Sequence, residues 1–286
     1  MMNPKQEICN AFNQHAAHYE QAAKVQCEIG KRLFERLDYL KINPRFVLDL
    51  GCGPAIFTPL LKKKYPKARI VGIDLAYDML QQAKSKQHFW RKWFLVNGDM
   101  TALPFMDGLF DLVFANQVIH WHDALSPLMR ELNRVMKPNG CFMFSTLGPD
   151  TFKELKQAWS LVDDYAHTNH FIDMHDIGDC LLNERFLDPV VDMEYLTVHY
   201  NDLAQLVHSL KDQGVRNINS SRNPGLTAKG SWQAFQRNYQ SFLTANGKFP
   251  LTYEVIYGHA WKGEQRKLEE GIETFIPVSK IGRIKK

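Results

Sequence analysis

The sequence has few of the features that mark specialised classes of protein. Its 286 residues include only five cysteines, and no two of them form a C-x-x-C pair. This odd number favours reduced thiols and a cytoplasmic location over a disulfide framework. The longest apolar runs are far too short to span a bilayer, and residues 1–20 lack the apolar stretch of a signal peptide. We therefore expect no membrane association.

No single sign of charge dominates the chain. Its 35 Lys and Arg residues nearly balance its 31 Asp and Glu residues, which gives a net charge of +4 at neutral pH. So small an excess is not typical of a dedicated nucleic-acid binder, and no nucleic-acid partner is predicted. Hydrophobic residues make up 45% of the chain, enough for the core of one large domain or two small ones.

The most informative segment is residues 47–54, Val-Leu-Asp-Leu-Gly-Cys-Gly-Pro. The apolar residues around Asp49 predict a buried strand, and Gly51 and Gly53 predict a turn that leads into a helix. Turns of this kind bind nucleotides in doubly wound α/β folds. The spacing differs from the dinucleotide fingerprint, because Ile56 replaces the third glycine and would hinder a pyrophosphate. An adenosine ligand without phosphates fits the turn better.

Three later strand ends carry side chains that suit such a ligand. Asp74 closes strand 69–74, about 20 residues further on, where an acid meets ribose hydroxyls; it also suits a helix N-cap. Asp99 and Met100 follow the next strand, and Asp99 is expected to accept from the adenine amino group unless the segment is a plain turn. Asn116 ends the fourth strand, where it borders the ligand or is an ordinary strand terminus.

The hydrophobic pattern predicts alternating strands and helices. Strands are predicted at 46–50, 69–74, 93–97, 109–115, 140–146, 190–200 and 251–261. Helices are predicted at 5–40, 58–65 with Thr58 as N-cap, 76–86, 124–136, 151–162, 177–184, 202–213 and 231–246, with a turn at 138–140. This rhythm indicates an α/β fold with a doubly wound, mostly parallel sheet and helices on both faces.

The predicted organisation has four parts. An N-terminal helical cap (1–40) precedes a ligand-binding core (41–150). A mainly helical capping insertion with a late sheet strand (151–250) follows on the substrate side, and a final strand with a charged tail (251–286) ends the chain. We expect the insertion to cover the site rather than to form an independent domain.

Residues 49–55 resemble motif I of S-adenosylmethionine-dependent methyltransferases, D-x-G-x-G-x-G, with Ala55 at the last glycine. Nearly the whole chain resembles the malonyl-acyl-carrier-protein O-methyltransferases of biotin synthesis, through segments 12–19, 145–155, 173–179, 210–217 and 251–258. The resemblance implies S-adenosylmethionine as cofactor. The residues expected to bind it are Asp49, Gly51, Gly53, Asp74, Asp99, Met100 and Asn116.

The resembling family methylates the free carboxylate of a malonyl thioester on acyl carrier protein, which lets chain elongation proceed toward pimeloyl. The resemblance therefore implies a carboxyl O-methyltransferase with acyl carrier protein as its partner. No general base is required, since a carboxylate is already ionised at neutral pH. Transfer from a sulfonium to a carboxylate annihilates charge, so a dry, aromatic-lined site favours it.

Four residues are predicted to position the substrate, each with a plainer alternative. Tyr19 lies in the helix expected to fold over the cofactor, or is a helix-packing aromatic. Trp121 and His120 follow the fourth strand and are expected to line the site. The alternatives are that Trp121 packs in the core and that His120 is a structural histidine. Arg222 orients the substrate or its thioester arm, or is a solvated loop arginine.

Charged residues in the insertion suggest how the carrier protein docks. Acyl carrier proteins are acidic, so a basic rim would steer them, although the same residues could form a scattered charged surface. The candidates are Lys211, Arg216, Arg222, Lys229 and Arg237. The His-rich stretch 167–176 matches no common metal-site spacing, and we predict a lid loop without a metal.

Two other functions stay open at this stage. One is a small-molecule C- or O-methyltransferase of the quinone-precursor type, which would share residues 45–146 but would not need a docking rim. The other is a non-catalytic assembly factor on the same fold. Asp49, Asp74 and Asp99, together with the two glycines, argue against a dead site.

Overall fold

The computed structural model describes residues 4–87, 92–122, 124–212, 217, 219, 221–223, 225 and 227–263. Seven strands form one sheet in the order β3-β2-β1-β4-β5-β7-β6. They are β1 (Phe46–Leu50), β2 (Arg69–Asp74), β3 (Phe94–Asn97), β4 (Phe110–Asn116), β5 (Met136–Leu147), β6 (Phe186–Tyr200) and β7 (Phe249–Lys262). Strands β1 to β5 are parallel, whereas β7 runs antiparallel to both β5 and β6.

Helices precede, connect and follow these strands. They are α1 (Pro4–His15), α2 (Tyr19–Ala22), α3 (Lys24–Arg36), α4 (Thr58–Lys64), α5 (Tyr77–Ser85), α6 (Leu125–Val135), α7 (Lys153–Ser160), α8 (Met174–Asn183), α9 (Leu203–Asp212) and α10 (Lys229–Tyr239). Short 3₁₀ turns lie at Leu37–Tyr39, Ile119–Trp121 and Gln240–Phe242. Within the described ranges, every helix is too short or too polar to traverse a bilayer.

Two hydrophobic cores lie on opposite faces of the sheet. Because side chains alternate along a strand, Val47 of β1 packs into one core and Leu48 into the other. Phe114 and Val113 of β4 divide in the same way. Burial of both faces explains why the central strands read as nearly continuous apolar runs. The predicted α/β class, with a mostly parallel sheet between helical layers, is confirmed.

The strand order creates a crevice at one edge of the sheet. The chain runs from β1 outward to β2 and β3, then returns to place β4 on the other side of β1. Helices that follow β1 and β4 therefore pack on opposite faces, and the carboxyl ends of these two strands are left uncovered between them. Ligands of open α/β sheets bind at such a switch point.

Several predicted boundaries need correction. Thr58 is not an N-cap: helix α4 begins at Thr58 itself, with Phe57 as the capping residue. Residues 138–140 do not separate α6 from β5, since β5 starts at Met136 and includes them where its register with β4 shifts. The predicted helix 5–40 is divided into three helices and a 3₁₀ turn, and helix 231–246 ends in a 3₁₀ turn at Phe242.

The predicted capping insertion contributes both helices and a sheet strand. Helix α8 packs against β6, and the guanidinium groups of Arg32 and Arg36 in α3 reach across to Glu194 and Asp192 of β6. Part of the predicted loop 214–230 and most of the charged tail lie outside the described residues. The division into four parts stays a prediction.

A close contact between β5 and β7 offers a test of this packing. Phe144 pairs with Gly258, and a Cβ added to Gly258 would lie 2.3 Å from the ring atom Cζ of Phe144. Gly258→Ala should therefore lower the free energy of unfolding by about 1–3 kcal/mol, because the buried ring cannot move aside. Chemical denaturation of the purified variant measures this.

Gly178 in α8 provides the matched control. A Cβ there would meet no atom within 4 Å, and its backbone is helical. Gly178→Ala should raise the free energy of unfolding by about 0.5–1 kcal/mol through helix propensity. Equal stability of the two variants would contradict the proposed packing of Phe144 on Gly258.

Candidate active site

A crevice opens at the carboxyl ends of the parallel strands, as the strand order predicts. Its empty volume, mouth included, is about 860 Å³. Its floor comes from the segments that follow β1, β2, β3 and β4, and α1 and Tyr19 of α2 contribute its cover. The lining includes six of the seven predicted cofactor residues: Gly51, Gly53, Asp74, Asp99, Met100 and Asn116.

The loop after β1 has a left-handed backbone at three alternate residues. Gly51, Gly53 and Ala55 have φ angles of +64°, +52° and +57°. A Cβ on Gly51 would lie 2.3 Å from Cγ2 of Val118, so only glycine fits there. At Gly53 a Cβ would meet nothing within 4 Å, which leaves main chain open to a ligand. Ala55 follows the path of the motif's last glycine at a cost of about 1 kcal/mol.

Asp49 lies behind this loop, and it is the one predicted cofactor residue that does not line the crevice. Its buried carboxylate accepts a hydrogen bond of 2.5 Å from the hydroxyl of Thr58. Burial raises the pKa of Asp49 to about 7, against the effect of the Thr58 hydrogen bond. The bond joins β1 to the start of α4, so Asp49 holds the loop in place and does not contact a ligand in this arrangement.

Asp74 joins two segments of the crevice through main-chain hydrogen bonds. Its Oδ2 accepts from the amide of Gly53 and its Oδ1 accepts from the amide of Ala76, both at 2.8 Å. Burial raises the pKa of Asp74, and these amide bonds oppose the rise. Helix α5 has Ala76 as its capping residue, so Asp74 is not the N-cap. Each carboxylate oxygen keeps acceptor capacity for a ligand hydroxyl.

Asp99 ties the N-terminal helix to the far end of the crevice. Its Oδ2 accepts from the ammonium of Lys5 at 2.6 Å, and its Oδ1 accepts from both the amide and the hydroxyl of Thr101 at 2.8 Å. Burial alone would raise the pKa of Asp99, but the hydrogen bonds from Lys5 and Thr101 outweigh it and lower the pKa. Asp99 therefore stays ionised.

Asn116 is held rigidly at the end of β4. Its Nδ2 donates to the carbonyl of Gln26, and its Oδ1 accepts from the hydroxyl of Ser145 at 2.8 Å. Gly30 of α3 packs so closely that a Cβ there would lie 2.7 Å from this Nδ2. Asn116 thus anchors α3 over the sheet, and its side chain borders the crevice with both ends of the amide engaged.

Residues 48–144 match the family described as Methyltransferase domain. The malonyl-[acyl-carrier protein] O-methyltransferase of Legionella pneumophila is 62% identical over 98% of this chain and 99% of its own length. Enzymes of the same name from Gallionella capsiferriformans and Coxiella burnetii are 42% and 40% identical, over 93% and 96% of this chain and 94% and 95% of their own lengths.

The chain belongs to the malonyl-[acyl-carrier protein] O-methyltransferase family. Solved structures agree on the fold alone. The YcgJ protein of Bacillus superimposes with a TM-score of 0.58 at 18% identity, covering 81% of this chain and 98% of its own. A methyltransferase of Thermotoga maritima gives 0.52 at 16% identity, covering 89% and 99%. The two alternative functions considered from the sequence are not favoured.

The methyltransferase has a second, inner cavity that adjoins the crevice. Its empty volume is about 430 Å³, and we call it the inner chamber. Four residues line both spaces: Phe12, Tyr19, Gln117 and Trp121. The remaining lining residues are Gln26, His120, Leu147, Phe152, Asn169, Phe171 and Tyr253. Among the described residues this lining contains no Lys, Arg, Asp or Glu.

Three of the four predicted substrate-positioning residues meet at this chamber. The Phe12 ring packs edge-on against Tyr19 and Trp121, with centroids 6.0 and 5.2 Å apart. Burial raises the pKa of Tyr19, so its hydroxyl stays neutral. Burial lowers the pKa of His120 to about 3, and its Nδ1 lies 3.3 Å from the hydroxyl of Thr146. His120 is therefore a neutral imidazole at neutral pH.

Arg222 is the exception among the four. It does not line the crevice or the inner chamber; its guanidinium donates to Glu7 of α1 at 3.0 Å and to the carbonyl of Asn217 at 2.7 Å. The structure therefore places Arg222 as a tie between α1 and the 217–222 segment. A role on the substrate's reactive group is not supported by this arrangement.

Several residues that shape the site were not predicted from the sequence. Lys5 and Cys9 of α1 line the crevice, and Phe152, Phe171 and Tyr253 line the inner chamber. Each was part of a recognised helix, strand or loop, but the pattern did not show which side faces the ligand. The left-handed backbone at Phe152, with φ of +63°, has no sequence signal comparable to a glycine.

The His-rich stretch separates into unrelated contacts. His167 stacks on Trp159 with centroids 3.9 Å apart and pairs with Asp163, whereas His175 packs against Asp173, the N-cap of α8. No group of three His, Cys, Asp or Glu side chains suited to a metal occurs among the described residues.

The buried Asp49 should make stability depend on pH. Its pKa rises from an ordinary 3.8 to about 7 in the folded protein, so the folded state binds more protons than the unfolded state between about pH 4 and pH 7. The free energy of unfolding contributed by this group therefore falls as the pH rises through that window. Asp49→Asn should flatten this decline of the free energy of unfolding between about pH 4 and pH 7, measured by denaturation of the ligand-free protein.

Asp179→Asn, at an exposed position of α8, is the matched control. Its free energy of unfolding should depend on pH as that of wild type does. If the free energy of unfolding declines with pH equally in Asp49→Asn and in wild type, the buried carboxylate does not carry the proton assigned to it.

Proposed function

We propose that this methyltransferase transfers a methyl group to the free carboxylate of malonyl-acyl carrier protein and so forms the methyl ester that primes pimeloyl synthesis for biotin. The observation that carries the proposal is the wall shared by the cofactor crevice and the uncharged inner chamber. The names of the relatives, similar over nearly their whole length, support the substrate.

The cofactor is S-adenosylmethionine, and the residues of the crevice fit it. The open space at Gly53 admits a ligand to the main chain, and Asp74 keeps acceptor capacity for the two ribose hydroxyls. Asp99, whose carboxylate also accepts from Lys5, is proposed to accept from the adenine amino group at the same end as Met100. When bound, the cofactor supplies an activated methyl group on a positively charged sulfur.

The inner chamber suits a displacement that annihilates charge. A methyl group passes from sulfur to a carboxylate oxygen, so two opposite charges disappear, and water would stabilise the separated ions more than the transition state. Aromatic rings at Phe12, Tyr19 and Trp121 exclude water, and their faces attract a sulfonium. The reaction then depends on placing the two groups in line.

The residues offer little base catalysis, and the reaction needs none. The substrate carboxylate is ionised at neutral pH. His120 has a pKa lowered to about 3 by burial, so its imidazole is a poor proton acceptor. It can still donate or accept a hydrogen bond beside Thr146 and shape the chamber.

An outer groove offers a route for the thioester arm. It has an empty volume of about 950 Å³ and is lined by α7 residues Lys156 and Trp159 and by the segment 163–171. It adjoins the inner chamber, with which it shares Asn169 and Phe171, and we propose that the thioester arm follows it from the surface to the reacting carboxylate.

The carrier protein is proposed to dock on the basic rim. Lys211, Lys229 and Arg237 are exposed on α9 and α10, whereas Arg216 lies outside the described residues. Acidic helices of a carrier protein would be steered by these charges. Five free cysteines accord with a reducing compartment, and we propose that the reaction takes place in the cytoplasm.

A mass-shift assay tests the function directly. Purified enzyme with S-adenosylmethionine should add one methyl group to malonyl-acyl carrier protein. Asp74→Ala should lose the reaction at low cofactor concentration, because the variant removes the acceptor for the ribose and for the Gly53 amide. Intact-protein mass spectrometry of the carrier is the measurement.

Calorimetry with S-adenosylmethionine separates the other outcomes. Cofactor binding without methylation of malonyl thioesters would point to a small-molecule methyltransferase. Absence of cofactor binding by the wild-type protein would point to an assembly factor. Either result would refute the proposed function.

Charge reversal tests the docking surface separately from chemistry. Lys211→Glu with Lys229→Glu should raise KM for malonyl-acyl carrier protein several-fold at low salt, and less at high salt, because long-range attraction is screened. KM for malonyl-coenzyme A, which lacks the protein, should not change. Lys41→Glu, an exposed position outside the insertion, is the control, and an equal rise there would remove the rim from the docking surface.

A further inference from the structure

Gln117, the residue after β4, adopts a backbone conformation that glutamine rarely takes. Its φ is +56°, in the left-handed region. Its backbone amide donates to both the carbonyl and the hydroxyl of Ser145 at 3.1 Å. A non-glycine residue in this region is strained, and such strain persists where the surroundings impose it, often at functional sites.

The side-chain amide of Gln117 is buried without a partner for its nitrogen. Gln117 is only 8% exposed, and its Nε2 makes no hydrogen bond to any residue that the structure describes. A buried unsatisfied donor costs free energy, and native proteins keep few of them. The strain and the unsatisfied donor are independent observations at one residue, and both indicate a ligand.

The position of Gln117 indicates which kind of ligand. It lines both the cofactor crevice and the inner chamber, so it lies where the methyl donor and the acceptor meet. Its neighbour Asn116 has both ends of its amide engaged, and the chamber lining has no cation among the described residues. An N–H donor without a partner at this junction suits an anionic oxygen.

We propose that Nε2 of Gln117 donates a hydrogen bond to one oxygen of the substrate carboxylate. The other oxygen of that carboxylate then faces the methyl group of the cofactor. The inference rests on the proposed function, because it requires a carboxylate acceptor. An electron pair of the free oxygen forms the new C–O bond, the S–C bond breaks with its electrons moving to sulfur, and no proton moves. A neutral donor orients the carboxylate but leaves it more nucleophilic than a paired guanidinium would.

The carboxylate could instead belong to the methionine part of the cofactor, which carries the same chemical group. The two sources differ in what a substitution changes. Loss of a bond to the substrate alters kcat/KM for the malonyl thioester, whereas loss of a bond to the cofactor alters the Kd of S-adenosylhomocysteine.

The test compares Gln117→Met and Gln117→Glu with wild type. Gln117→Met keeps the length of the side chain without the donor and should lower kcat/KM for malonyl-coenzyme A by roughly 10- to 100-fold. Gln117→Glu replaces the donor with an acceptor that repels the substrate and should lower kcat/KM further. For both, the Kd of S-adenosylhomocysteine should stay within about two-fold of wild type. Gln157→Met and Gln157→Glu, at an exposed position of α7, are the matched controls.

The Tm of Gln117→Met distinguishes a role in substrate binding from a structural role. Because Gln117→Met removes an unsatisfied buried donor, its Tm should equal or exceed that of wild type while its activity falls. Unchanged kcat/KM in a folded Gln117→Met would overturn the inference, as would a raised Kd for S-adenosylhomocysteine with unchanged KM for the thioester. A wild-type enzyme that does not methylate malonyl thioesters would overturn the proposed function, and this inference with it.

Discussion

The site depends on the hydrogen bonds that the Asp74 carboxylate accepts from the backbone amides of Gly53 and Ala76. They join the loop after β1 to the segment after β2, two adjacent strands whose pairing alone would leave their ends free to separate. Because the same carboxylate fixes the loop and faces the crevice, one group would hold both the glycine turn and the ribose of the proposed cofactor. Asp49 supports the arrangement from behind through Thr58. Burial raises the pKa of Asp49, and the nearby charge of Asp74 adds to the rise.

Charge is distributed unevenly between the two halves of the site. The crevice presents Asp74 and Asp99, which suit a cationic nucleoside, whereas the described lining of the inner chamber carries no formal charge. A cation and an anion that meet at such a boundary gain from losing water on the chamber side. Strain is found at the same boundary, where Gln117 has a left-handed backbone; Phe152 in the chamber lining and Ala55 in the loop after β1 share this conformation. Preorganisation of this kind supplies the positioning that a reaction without a base requires.

The sequence predicted the strands more closely than the directions of their side chains. Strands β1 and β2 begin and end at the predicted residues, because both are short buried runs bounded by clear breaks. The positions of Gly51, Gly53, Asp74 and Asp99 in the crevice follow from the parallel register, which brings strand ends together. The positions of Asp49 and Arg222 could not be predicted in this way. A strand pattern does not show that the Asp49 side chain lies behind the loop. It also does not show that Arg222 pairs with Glu7, more than 200 residues away in sequence. Long-range pairing of this kind has no local signal.

Ion pairs hold the N-terminal helix across the crevice, and this has a consequence for turnover. Lys5 pairs with Asp99 at one end of α1 and Glu7 pairs with Arg222 nearby, while Phe12 closes against Trp121 at the other end. The charged contacts are partly exposed, so each contributes little, and their sum is screened by salt. The aromatic contact lies beside the inner chamber, where a cofactor and a substrate would add apolar surface for it to cover. Helix α1 is therefore held weakly at its charged end and gains most from ligands at its aromatic end. The reacting groups would be covered most firmly when both are present, without making the release of products slow.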